Sequence, residues 1–230
     1  LEQASAMMRE AFAIWENARC GDNGERPSIH ISDAFGPAVC DQAEFNQREG
    51  NANIVIFRDR EWPYSEVDHE LAATWLMVDR AGTIIDADIE INATAPLFVP
   101  TGDEELELGV IANQRDLLSI MVHEAGHFLG IDHSREEDAV MQAVLDVGQV
   151  RTALSPDDEA AICEIYPPDA ELQTCDYTPR NGFASVCGPS YLIGSCSLEQ
   201  PPQARSLAPT LGVFGTALFS LAVARMRRRR

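Results

Sequence analysis

The eleven residues from His123 to His133, HEAGHFLGIDH, decide how the rest of this 230-residue chain is read. They fit H-E-x-x-H-x-x-G-x-x-H at all five fixed positions, a pattern whose spacing has a direct physical meaning. His123 and His127, at i and i+4, lie one turn apart on one helix face, so both imidazoles can aim a nitrogen at a single ion. Gly130 lets the chain leave the helix sharply and return His133 as a third ligand. Three neutral imidazoles leave a fourth position on Zn²⁺ for water, which separates a catalytic site from a closed structural one. Glu124 points about 100° around the helix from His123, badly placed as a ligand and well placed beside the zinc-bound water. It is therefore assigned as the general base, and a single catalytic zinc is expected.

Working outward, residues 113–129 carry Leu117, Leu118, Met121, Val122, Ala125 and Leu129 at helical spacing, ending at Gly130. Residues 5–18 (SAMMREAFAIWENA) place Met8, Ala11, Phe12 and Trp15 on one stripe and read as an amphipathic helix docked on a core. Four stretches read as strands of one sheet: 28–32 (SIHIS), 52–57 (ANIVIF), 71–78 (LAATWLMV) and 83–92 (TIIDADIEIN). The last alternates Ile85, Ala87, Ile89 and Ile91 against Asp86, Asp88 and Glu90. Ser155 caps a further helix, with Pro156 at its first position and Asp157, Asp158 and Glu159 at the positive end of its dipole. That helix should stop at Tyr166-Pro167-Pro168.

With those residues in view, the chain resembles the metzincin zinc endopeptidases, and among them the matrixins (matrix metalloproteinase-like enzymes), over residues 5–167. Ser134 directly after the third His is the matrixin choice. Ala139-Val140-Met141 resembles the Met-turn, which implies Met141 as a hydrophobic floor beneath the zinc ligands. LSPDDEAAICEIYP is similar to the C-terminal helix of the family, in which an Asp pair, here Asp157 and Asp158, helps brace that turn. ANIVIF looks like the third strand and LAATWLMV like the edge strand on which an extended substrate lies antiparallel. The resemblance implies an α+β metzincin catalytic domain: a twisted mixed sheet, an active-site helix and a C-terminal helix, here followed by a single apolar helix. It implies a zinc metalloendopeptidase that hydrolyses peptide bonds of extended polypeptides.

The chain departs from the family pattern in several places. The first strand, which should precede the opening helix, is missing, and the N-terminus is read as truncated or processed. Outside the motif only His30 and His69 remain, too few for a structural zinc site, and they are read as ordinary strand or loop histidines. Calcium has no recognisable loop in its support. Gln142-Ala143 replaces the usual Tyr-Pro, so residues 142–154, which should wall the pocket after the scissile bond, cannot be transferred by analogy. Arg19-Cys20-Gly21-Asp22 faintly resembles a propeptide cysteine switch, but its position after the opening helix favours a disulfide.

The charge is divided as sharply as the pattern. Residues 1–200 hold 11 Arg against 37 Asp plus Glu, a net −26, whereas residues 201–230 hold 6 Arg and no acid. Nucleic acid is excluded as a partner by the acidic balance, which should instead favour basic substrates at low salt. Six cysteines, at 20, 40, 163, 175, 187 and 196, suit an oxidising compartment, and no C-x-x-C pair points to a zinc ribbon. Short loops close at least entropic cost, so Cys20 is expected to pair with Cys40 and the other four among themselves. The expected organisation is a catalytic domain at 1–168, a Cys-rich appendage at 169–200, a linker at 201–206 and a tail at 207–230. Residues 207–224 are uncharged and mostly apolar, about 27 Å long as a helix, and an Arg cluster follows them. Together with Cys196 they resemble the C-terminal sorting tails of myxobacterial surface proteins, the alternative being a permanent anchor. The expectation is thus a monomeric exported enzyme held or sorted at a membrane. The competing functions are a surface-displayed binding or adhesion module that keeps the zinc site as scaffold, and an esterase or amidase using the same water.

Overall fold

A computed structural model of the chain describes residues 2–31, 38, 43, 45, 51–64, 70–95, 97–98 and 114–170. The expectations for residues 171–230, including the appendage and the apolar tail, lie outside the described residues, as do Cys40 and His69. Among the described residues no helix is long and apolar enough to cross a membrane.

The chain opens with α1 (Glu2–Glu16), which buries Met7, Met8, Ala11, Phe12 and Trp15. Three strands follow: β1 (Val55–Arg58), β2 (Ala72–Val78) and β3 (Ile84–Asn92). They form a mixed sheet in the order β1-β3-β2, with β1 parallel and β2 antiparallel to β3. Among the described residues β2 is therefore an edge strand, as expected. Its turn into β3 is held by Asp79 Oδ1, which accepts from Ala81 N at 2.8 Å and Thr83 N at 3.0 Å, and by Gly82 at φ 88°.

Two short strands, β4 (Leu97–Phe98) and β5 (Arg115–Asp116), pair in parallel and lead into α2 (Leu117–Phe128). The helix thus begins four residues later than its apolar spacing suggested. Asp116 stops it there, because its Oδ2 accepts from Ser119 N at 2.7 Å and from Ser119 Oγ at 2.6 Å, a side-chain cap on the first turn. The last helix, α3 (Pro156–Ile165), has the expected Ser155 capping box and ends at Tyr166.

The core fills the space between the sheet and the helices. Ile89 and Ile91 of β3, Met121 and Val122 of α2, Trp15 of α1 and Ile162 of α3 are all buried in it. Trp15 Nε1 donates to Val122 O at 2.8 Å, which satisfies the one polar atom of a fully buried indole and fixes α1 against α2.

Two expectations are corrected. Residues 28–31 form no strand; their amides turn elsewhere, Ser28 N to Tyr166 O at 3.1 Å and Ile31 N to the Glu16 carboxylate at 2.7 Å. Cys20 pairs with Cys163, across a sequence separation of 143, and not with Cys40. The short-loop argument fails because the core brings the chain just after α1 against α3: Arg19 N also donates to Glu159 Oε1 at 3.2 Å.

The outer face of β3 also differs from simple alternation. Asp86, Asp88 and Glu90 are buried along with Ala87, Ile89 and Ile91 on the opposite face. Glu90 pairs with Arg58 and accepts hydrogen bonds from Tyr64 OH and, at 3.2 Å, Trp75 Nε1, so the charge is enclosed with its partners.

Candidate active site

α2 carries His123, Glu124 and His127, and its exit is built as the spacing requires. Gly130 adopts φ 91°, a conformation that L side chains rarely take, and its N–H bonds His127 O at 2.8 Å. The chain then doubles back through Ile131 and presents His133. The three imidazoles meet with ring centroids 4.7 to 5.2 Å apart, and one ligand atom from each lies within 4.8 Å of the others.

Backbone carbonyls decide which ring nitrogen is available. His123 Nδ1 lies 2.7 Å from Val140 O, and His127 Nδ1 lies 2.8 Å from Ile131 O. A carbonyl only accepts, so each Nδ1 carries the proton and each Nε2 keeps its lone pair. Burial depresses both rings' pKa values, that of His123 to about 4, with the neighbouring His127, His133 and Arg151 adding to the effect and the Val140 carbonyl opposing it. At neutral pH these rings are uncharged, the form that ligates a metal. His127 Nε2 and His133 Nε2 approach to 3.1 Å. With one nitrogen from each of the three rings within 4.8 Å of the others, the donor set fits a zinc ion.

Glu124 faces a different surrounding. It is buried and accepts from Thr74 Oγ1 of β2 at 2.5 Å through Oε2. Burial pushes its carboxyl up to about 7; the Thr74 hydroxyl opposes the shift and the nearby charge of Glu70 adds to it.

Met141 lies beneath α2. A Cβ on Gly126 would clash with the Met141 sulfur and come within 2.7 Å of Trp15 Cζ2, so the helix can approach this floor only through a glycine. The turn itself is pinned by Asp158, which accepts from Val140 N at 2.8 Å, Met141 N at 3.1 Å and Ser155 N at 2.8 Å. Asp157 instead accepts from Ser134 Oγ at 2.5 Å, so the two acids divide the work. His30 stands apart from the cluster, exposed, with Nδ1 3.3 Å from Glu16 Oε1.

Of the five residues singled out in the sequence, His123, His127 and His133 meet, Glu124 lies on the same helix against Thr74, and Met141 lies against Gly126 of that helix. Sequence reasoning missed Thr74, since one Thr in an apolar strand carries no pattern, and it missed the Val140 and Ile131 carbonyls, which belong to backbone geometry alone.

The chain is similar in sequence to known proteins. A family model described as Matrixin matches residues 2–167. Metalloendoproteinase 1-MMP of Arabidopsis thaliana is 40% identical over 75 residues, 30% of this chain and 21% of the plant protein. Metalloendoproteinase 5-MMP of the same plant is 43% identical over 78 residues, 34% of this chain and 22% of its own length. The chain therefore covers about a fifth of the length of these curated relatives. The family match is much longer and runs from the first turn of α1 past the end of α3, taking in every side chain of the site, and on that ground the chain belongs to the matrixins, a family of zinc metalloendopeptidases.

Proposed function

We propose that this chain is an exported endopeptidase that hydrolyses peptide bonds of extended polypeptides, with His123, His127 and His133 holding one zinc ion and Glu124 acting as general base. The observation that carries the reading is the histidine cluster: three imidazoles with ligand atoms within 4.8 Å of one another, two of them with fixed tautomers, and a buried carboxylate on the same helix. When bound, zinc supplies Lewis-acid polarisation of the scissile carbonyl and makes a water acidic enough to attack it.

The protein's own groups move the protons. Glu124 takes a proton from the attacking water as its oxygen bonds to the carbonyl carbon. It then delivers that proton to the amide nitrogen as the C–N bond breaks, giving a carboxylic acid and an amine. Met141 packs against Gly126 of the helix that carries His123 and His127.

The edge of β2, unpaired among the described residues, supports a polymer substrate. It can bond an extended backbone strand to strand, and Trp75, Leu76, Met77 and Val78 along it are exposed apolar side chains that a bound peptide would cover. Export is supported by the Cys20–Cys163 disulfide, which an oxidising compartment maintains. Attachment or sorting at a membrane rests on the apolar composition of residues 207–224 and the terminal Arg cluster. Carbonate extraction of cells expressing the full chain tests it: the protein should stay with the membranes unless the tail is removed, and full release of the intact chain counts against an anchor.

The central experiment is cleavage of a peptide library by zinc-loaded protein, with chelator and with Glu124→Ala. Cleavage should stop with chelator, return with zinc, and fall by at least about 100-fold in Glu124→Ala. Undiminished cleavage by Glu124→Ala would remove the general base from the mechanism. No cleavage by zinc-loaded wild type would favour the binding module.

A further inference from the structure

β2 contributes more than an edge. Thr74 lies opposite Ile89 in the ladder, and its side chain reaches α2. Its Oγ1 is 2.5 Å from Glu124 Oε2 and 3.3 Å from the Glu124 carbonyl oxygen. A hydroxyl has one proton to give, and the shorter contact to the more basic oxygen takes it. Among the described residues no other group donates to this carboxylate, so Oε1 is left without a protein partner.

We propose that Thr74 is a positioning residue for Glu124: its hydroxyl anchors Oε2 and thereby reserves Oε1 for proton transfer. This rests on the reading of Glu124 as general base. The anchor has a definite physical task. A glutamate has three rotatable bonds, and general-base catalysis requires its oxygen within about 2.6–3.2 Å of the proton donor. One fixed oxygen confines the carboxylate to rotation about a single point.

The choice of strand matters as much as the contact. Thr74 belongs to the edge strand that we assign to substrate, so substrate and base are held by one element. Seating of a polypeptide on β2 and orientation of Glu124 then refer to the same backbone, and an error in their relative placement is reduced. Misplacement by about 1 Å is enough to cost roughly 100-fold in rate.

The test compares zinc-loaded full-length wild type with Thr74→Val, which keeps the shape and loses the donor, and Thr74→Ser, which keeps the donor. Thr74→Val should lower kcat by about 10–100-fold with KM within about twofold and zinc content unchanged, while Thr74→Ser stays within about threefold of wild type. Thr74→Ala, which loses the donor without a new methyl against the carboxylate, should repeat the loss. Calorimetry gives a readout apart from turnover: a phosphinic peptide that mimics the tetrahedral transition state should bind Thr74→Val more weakly in proportion to the fall in kcat/KM, and a product peptide should bind unchanged. Wild-type kcat in Thr74→Val, equal losses in Thr74→Val and Thr74→Ser, or loss of zinc from Thr74→Val would each overturn the proposal. The reading beneath it fails separately, by undiminished activity of Glu124→Ala.

Discussion

Burial holds the Glu124 carboxyl at about 7 in the folded, metal-free protein, against 4.5 for the free group, and this difference couples protonation to stability. Between those values the folded state binds more proton than the unfolded state. The neutral carboxyl's advantage is therefore complete below pH 4.5 and is lost as pH rises through about 7. His123 runs the other way: with a pKa near 4 in the folded state and 6.5 unfolded, it favours folding above pH 6.5 and ceases to do so as pH falls toward 4. Substituting Glu124→Gln isolates the first effect, since the amide keeps the shape without the charge. Metal-free Glu124→Gln should be more stable than metal-free wild type by about 3 kcal/mol at pH 8 and nearly equal to it at pH 4, measured by urea unfolding. Equal stabilities at pH 8 would mean that the ionised carboxylate is better solvated than its burial implies. At this scale the meeting of His123, His127 and His133 was legible, because metal chemistry restricts both residue type and spacing. Thr74 was not, since hydrogen-bonding between a strand and a helix leaves no periodicity. Glu90 was actively misleading: alternation in TIIDADIEIN reads as a wet face, yet Arg58, Tyr64 and Trp75 enclose the charge.

Among elements, the turn that carries Val140 and Met141 has little regular structure of its own, and its shape is imposed from α3. Asp158 is fully buried, and its carboxylate takes both amides of the turn while closing the Ser155 capping box. The same turn supplies the Val140 carbonyl that fixes the His123 tautomer, so a helix cap is coupled to a metal ligand through one residue. Asp158→Ala should therefore cost about 2–4 kcal/mol in urea unfolding, from lost charge-assisted bonds and orphaned amides, and should weaken zinc binding by about 10–100-fold in competition with a chromogenic chelator. Asp157→Ala, in which an exposed carboxylate loses its bond from Ser134, should change stability by at most about 1 kcal/mol. A similar zinc affinity in Asp158→Ala and wild type would show that the turn holds its shape without the brace. Elements with strong local signals were foreseen: α1 by its stripe, α3 by Ser155-Pro156, and β2 and β3 by their composition. Residues 28–31 form no strand because the amides of Ser28 and Ile31 are taken by Tyr166 and Glu16, partners that no local pattern announces.

On the scale of the molecule, the Cys20–Cys163 bond ties the chain just after the first helix to the last helix of the described region. Everything that forms the site lies between those two cysteines in sequence. Cross-linking across 143 residues removes more freedom from the unfolded chain than the short loop that the sequence favoured would have done. Sequence separation was a poor guide because it measures the cost of closing a loop in an unfolded chain; in the folded protein the core has already met that cost by packing α1 on α2, with Trp15 bonded to Val122. The expected consequence is a drop of about 3–5 kcal/mol in unfolding free energy when both Cys20 and Cys163 are replaced by Ser. The loss should act mainly through the unfolded state, so zinc-loaded protein should keep its kcat under native conditions while its urea midpoint falls. Non-reducing peptide mapping should recover Cys20 joined to Cys163 in wild type, and Cys40→Ser should leave that peptide and the midpoint unchanged. If Cys40→Ser instead abolishes the linkage while Cys163→Ser leaves Cys20 bonded, the short-loop pairing is the correct one and the anchoring of α3 falls to Glu159 and the Ile162 side of the core alone.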